Sequence, residues 1–144
     1  MKRHQLGNTS LFVPPIGFGC VALGGQYGPL AESEGIRAVH QAIDSGINFF
    51  DTSAYYGEGL SETRLGKALQ GRRDEVIVAT KGGRHAANHF DFSYQNIIEM
   101  CEASLNRLQT GSLDIYQLHD IEFGTMETVL EGVRALFDLK KQGK

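Results

Sequence analysis

Four times along this chain a short apolar run is followed by a longer stretch with apolar residues at helical spacing. That alternation is the strongest constraint on the fold, because strands joined through crossover helices by brief connections build a parallel sheet. The first run is Ile16-Gly17-Phe18-Gly19-Cys20, preceded by Pro14 and Pro15. A helix over Ala31 to Ser45 follows, with Ile36, Val39, Ala42 and Ile43 on one face and Gly46 as its stop. Ile47-Asn48-Phe49-Phe50 reads as the second strand, and Ser61-Glu62 opens a helix carrying Leu65, Ala68 and Leu69 on one face. Val76-Ile77-Val78-Ala79-Thr80 is the clearest strand, apolar on both faces as parallel strands under helices tend to be. Ser93 begins a third helix, striped by Ile97, Ile98, Cys101, Leu105 and Leu108. Leu113 to Leu118 forms the fourth strand, and Thr125 is the predicted N-cap of a helix running through Val129, Leu130, Val133, Leu136, Phe137 and Leu139. Residues 3–14 form an extra element before the first strand, with a hairpin turn at Gly7-Asn8-Thr9.

A doubly wound sheet and a (βα)8 barrel both begin this way. The first strand runs into Gly17-Phe18-Gly19-Cys20-Val21-Ala22, which is not G-x-G-x-x-G, and Gly24-Gly25-Gln26-Tyr27-Gly28-Pro29 reads as a long loop rather than a helix start. Both features count against a dinucleotide-binding Rossmann unit. The last helix closes in Lys140-Lys141-Gln142-Gly143-Lys144, the way a helix hands over to another strand. Four βα units are half of a barrel, and complete barrels of this type run to about 250 residues or more. The expected architecture is therefore α/β and of TIM-barrel type. Residues 1–15 would be a hairpin cap and residues 16–144 four βα units, the amino-terminal half of a barrel domain. Such a half leaves open sheet edges, through which self-association is expected.

Composition narrows the partners. The formal charge of −3 provides no basic field, so nucleic acid is not expected to bind. No apolar run approaches the roughly 20 residues of a membrane helix. Cys20 and Cys101 lie far apart in unlike contexts, which suggests neither a disulfide framework nor a clustered metal site. A reducing, cytoplasmic location is the expectation.

In a βα barrel, catalytic groups sit where strands end and loops begin. Strand two ends in Asp51, five residues before Tyr56; strand three runs into Lys81; strand four ends in His119, followed by Asp120. Singly, each has an ordinary explanation: a turn cap, a surfacing lysine, a packing tyrosine, a structural histidine. Together, three consecutive strands present an ionisable group at one converging end. Tyrosine has an ordinary pKa of about 10, too high for proton exchange at neutral pH. A lysine cation beside it favours the phenolate, an aspartate holds that cation, and a histidine can orient a substrate oxygen. The set suits proton transfer to or from a carbonyl or alcohol oxygen. It contains no nucleophile–base pair typical of hydrolysis and no cluster of metal ligands.

Leu6-Gly7 with Pro15-Ile16-Gly17-Phe18-Gly19-Cys20, then Asp51-Thr52-Ser53-Ala54-Tyr55-Tyr56-Gly57 with Glu62, then Ala79-Thr80-Lys81, then Asp114-Ile115-Tyr116-Gln117-Leu118-His119, resemble the aldo-keto reductase family in order, spacing and strand context. The resemblance implies an NAD(P)-dependent oxidoreductase, using NAD or NADP, with a tetrad of Asp51, Tyr56, Lys81 and His119. Tyr56 rather than Tyr55 would be the general acid–base, tuned by Lys81 and Asp51, with His119 positioning the substrate. It also implies Gly19, Cys20 and Asp51 beside the cofactor. Phe90-Asp91-Phe92-Ser93 and His119-Asp120-Ile121-Glu122-Phe123-Gly124 resemble the aldose and L-galactose dehydrogenase branch, whose members oxidise the anomeric carbon of a free sugar to a lactone. Tyr27, Asp120 and Glu122 are then the expected contacts to a sugar or other small carbonyl substrate. The alternative expectation is a non-catalytic half-barrel serving as an assembly, binding or regulatory module.

Overall fold

The computed structural model describes all 144 residues. Strands β3 (Phe18–Gly19), β4 (Phe49–Asp51), β5 (Ile77–Gly82) and β8 (Ile115–Leu118) form one parallel sheet in that spatial order. Helices α1 (Glu32–Asp44), α2 (Leu60–Ala68), α3 (Tyr94–Leu108) and α4 (Met126–Lys141) follow the four strands in turn. Sequential order with helical crossovers is the winding of a barrel, not the reversed order of a doubly wound sheet.

The amino-terminal hairpin pairs β1 (His4–Gln5) with β2 (Phe12–Val13), joining His4 to Val13 and Gln5 to Phe12. The Asn48 amide, just before β4, donates to the Phe12 carbonyl at 3.0 Å. This bond fixes the hairpin at the amino ends of the strands, opposite the end where the ionisable groups gather.

Helix boundaries follow local chemistry. At the end of α1, Gly46 adopts φ 91°, its N–H donates to Ile43 and that of Ile47 donates to Ala42. Gly143 with Lys144 repeats this arrangement on Lys140 and Leu139 after α4. Both glycines stop their helices by the αL route, satisfying carbonyls that would otherwise go unpaired. Thr125 caps α4 through a reciprocal pairing with Thr128. The expected start of α2 shifts: Gly59 is its N-cap, and the Ser61 hydroxyl instead turns inward to the Cys20 carbonyl at 2.7 Å.

Two departures from the expected elements bear on the site. The first strand is only two residues long, because Cys20–Gly24 curls into a turn of 3-10 helix immediately after it. The stretch after Lys81, to which the sequence assigned no element, carries a second hairpin, β6 (Arg84–Ala86) with β7 (His89–Phe90). Neither has a strong sequence signature, since runs of two or three residues are too short to show a period.

The core divides where the sheet meets its helices. Phe50, Leu65, Val39, Val78 and Cys20 anchor one cluster beneath α1 and α2. Ile97, Phe92, Cys101, Ala135 and Leu139 anchor a second between α3 and α4. Burial pushes the Cys20 thiol up and the Cys101 thiol to about 11, so both behave as inert core groups. No helix is long and apolar enough to cross a membrane. Along the outer face of α4, Met126, Leu130 and Phe137 stay exposed.

Candidate active site

Parallel pairing brings the strand ends to one level. Gly19 lies opposite Asp51, Asp51 opposite Ala79, and Lys81 opposite Gln117, while the His119 N–H extends the ladder to the Gly82 carbonyl at 2.9 Å. Alternation along β5 then sorts the side chains. Thr80 points outward to α2, where its hydroxyl reaches Glu62 at 2.5 Å. Lys81 points the other way, into the space the sheet curves around.

The Lys81 ammonium donates to both carboxylate oxygens of Asp51 and to the Thr52 carbonyl, each at 2.8 Å. All three of its protons are therefore committed, and the cation has one defined position. It lies 5.2 Å from the centroid of the Tyr56 ring. That ring meets His119 edge-on, with centroids 5.9 Å apart and planes at 87°. The four expected residues thus converge on the open, carboxyl-terminal end of the sheet.

Tyr56 is held there by a tight loop. Its N–H donates to the Ser53 carbonyl and its own carbonyl accepts from Ser61 N–H, both at 3.1 Å. Gly57 follows at φ 64°, and Gly24 presses against this backbone so closely that a Cβ on it would lie 2.7 Å from the Tyr56 carbonyl carbon. Two glycines are needed at that crossing because neither chain has room for a side chain. The Gly-rich segment of the sequence thus serves as the wall that fixes the Asp51–Tyr56 loop.

Tyr55 is engaged differently. The Arg84 guanidinium stacks over its ring at 3.9 Å and also forms an ion pair with Asp120. Arg84 belongs to the β6–β7 hairpin, so it ties that hairpin to both the β4 and β8 loops. Sequence reasoning missed Arg84; its position three residues beyond Lys81, at the carboxyl end of a strand, was the available signal. Asp120, expected to meet substrate directly, is already paired with Arg84. Glu122 sits exposed on the Ile121–Phe123 turn, and Tyr27 is 82% exposed.

His119 is buried against this assembly. Loss of hydration holds its imidazolium below the ordinary value, an effect reinforced by the Lys81 and Arg84 cations and opposed by Asp120 and Asp51. The ring is therefore neutral at neutral pH. As pH falls through the ordinary histidine range near 6.5, the unfolded chain takes up a proton that the folded chain refuses. Stability contributed by this site is thus present above that range and lost on acidification toward the lower folded value. Denaturant midpoints measured from pH 7.5 to 5 should decline less steeply in His119→Gln; equal slopes would show that His119 titrates normally.

Gly19 is exposed, pairs with Asp51, and has nothing within 4 Å of where a Cβ would stand. Open space therefore lies beside Gly19, a shelf next to Asp51 on the neighbouring strand. Cys20 is placed differently from Gly19. It is fully buried, its thiol lies 3.7 Å from the Phe18 carbonyl, and its own carbonyl is taken by Ser61. The 3-10 turn that starts at Cys20 places its side chain in the core beneath α1 and α2.

Four parallel βα units with a Lys–Asp–Tyr–His cluster at their carboxyl ends define half of a βα barrel with ionisable groups gathered at its open strand ends. The model of the aldo/keto reductase family matches residues 15–144. L-Galactose dehydrogenase of Arabidopsis thaliana is 48% identical over 148 aligned residues, covering 100% of this chain and 46% of that protein. The holo form of an aldo-keto reductase from Bacillus halodurans superposes with a TM-score of 0.86 at 40% identity, over 99% of this chain and 47% of that one. An aldo-keto reductase of Klebsiella pneumoniae in complex with NADPH superposes at 0.78 with 31% identity, over 99% and 46% of the two chains. The chain belongs to the aldo/keto reductase family. It spans about half the length of the curated relatives it matches.

Proposed function

We propose that residues 1–144 supply the proton-transfer half of a nicotinamide-dependent oxidoreductase that acts on an aldose, oxidising its anomeric carbon to a lactone. The observation that carries this reading is the three-way clamp on Lys81, which sets a fixed cation beside the Tyr56 ring at the open strand ends. Bound nicotinamide would exchange a hydride with the substrate carbon. Gly19 and Asp51 would flank its ring on the shelf between them.

Tyr56 would take the proton from the substrate hydroxyl during oxidation and return one during reduction. The fixed Lys81 cation, 5.2 Å from the ring centroid, would stabilise negative charge developing on the substrate and tyrosine oxygens in the transition state, without reorganising during the reaction. His119, neutral, would donate a hydrogen bond to the same substrate oxygen and hold it within reach of Tyr56. The Arg84–Asp120 pair borders this position and presents both signs of charge to sugar hydroxyls. Glu122 and Tyr27 would meet the outer part of the substrate.

The direct test offers the full-length protein NAD or NADP with L-galactose and other aldoses, following reduced nicotinamide together with lactone. Reduced cofactor appearing with equimolar lactone is expected. Reduction of small aldehydes with no turnover of any aldose would sink the sugar assignment and leave general carbonyl reduction.

A further inference from the structure

The Ser53 hydroxyl is fully buried and has two neighbours of different kinds. It accepts the Tyr55 N–H at 3.1 Å and lies 2.9 Å from Nδ1 of His119, sixty-six residues further along the chain. A hydroxyl carries one proton, and here that proton has one acceptor within reach. If Nδ1 carried the ring proton, the serine proton would be stranded in a buried site with no partner, a costly arrangement. Bonding is complete only when Ser53 donates to an unprotonated Nδ1. The neutral ring then bears its proton on Nε2. That nitrogen lies 3.8 Å from Asp120 Oδ2, beyond hydrogen-bonding distance, and Asp120 is occupied by Arg84. The Nε2–H therefore has no acceptor within the protein and is free for a ligand oxygen.

We propose that Ser53 is a positioning residue that locks His119 in the tautomer protonated on Nε2, so that the ring can only donate to the substrate oxygen. The second half of this statement rests on the reading of His119 given above; the tautomer itself does not. A hydroxyl serving only to brace the loop through the Tyr55 N–H would leave the histidine tautomer indifferent to its removal.

The test is long-range ¹H–¹⁵N correlation on the ¹⁵N-labelled full-length protein, with His119 signals assigned by their loss in His119→Gln. The expected spectrum shows Nδ1 as an unprotonated nitrogen and Nε2 as a protonated one. Ser53→Ala, one atom smaller, should give a mixture of tautomers and lower kcat/KM on the order of 10- to 100-fold, as for other partners that orient a histidine. Ser53→Thr, which keeps the hydroxyl, should return both readouts toward wild type. A wild-type ring protonated on Nδ1, or an unchanged tautomer in Ser53→Ala, overturns the proposal. A changed tautomer at undiminished rate supports the lock and overturns instead the assignment of His119 to the substrate.

Discussion

Tyr56→Phe is expected to lower turnover by about 10²- to 10⁴-fold, the usual contribution of a positioned acid–base group, while cofactor affinity changes little. The substitution removes one oxygen and leaves the ring. Edge-on packing against His119 and the place of the ring beneath the Lys81 cation do not depend on the hydroxyl. Lys81 also keeps its three acceptors on Asp51 and Thr52, so the shelf beside Gly19 retains its shape. Steady-state kinetics paired with fluorescence titration of the cofactor separates the two effects. Tyr55→Phe is the control: its ring serves as a stacking surface for Arg84, and loss of its hydroxyl should change rates only a few-fold. Near-normal turnover in Tyr56→Phe would falsify the acid–base assignment.

The second large effect concerns stability. Glu62 on α2 is fully buried, yet it accepts from the Arg107 guanidinium at 2.6 Å and from Thr80 at 2.5 Å. Arg107 lies on α3 and remains partly exposed, at 29%. Arg107→Ala strips the counter-charge from a carboxylate that has no access to water, which costs about 3–5 kcal/mol. Glu62→Gln on the wild-type background should cost less, because a neutral amide can still accept from Thr80 and leaves the arginine facing solvent. Adding Glu62→Gln to Arg107→Ala should recover part of the loss. Urea unfolding of the full-length protein reads all three. A loss under about 1 kcal/mol in Arg107→Ala would mean that Glu62 is not held as a buried anion. This pair also reaches the site, since Thr80 immediately precedes Lys81 and its bond to Glu62 sets the outward face of β5.

The local code of this chain was legible throughout. Hydrophobic period, apolar strands and glycine stops depend on residues within a turn or two of each other, so they identified four βα units and the end of the sheet where Asp51, Lys81 and His119 emerge. Boundaries moved by a few residues, as at the start of α2, and short elements escaped notice. Cys20 left the strand for a 3-10 turn, β5 ran on through Lys81, and the β6–β7 hairpin was too brief to carry a period.

What tertiary structure decided are pairings between loops. The bond of Ser53 to His119, the stacking of Arg84 on Tyr55 with its ion pair to Asp120, and the Glu62–Arg107 bridge join residues from different βα units. Choosing Tyr56 over Tyr55 rested, in the sequence, on family resemblance; in the structure the two rings differ in which cation each one meets. No spacing rule encodes such meetings. They arise because parallel strands deliver every loop to the same end, where sheet curvature and the close crossing of Gly24 over Tyr56–Gly57 settle which side chains touch. By itself the sequence determined the elements, their order and the chemistry brought to that end. Only the folded sheet determined which groups share a proton, a charge or a ring face.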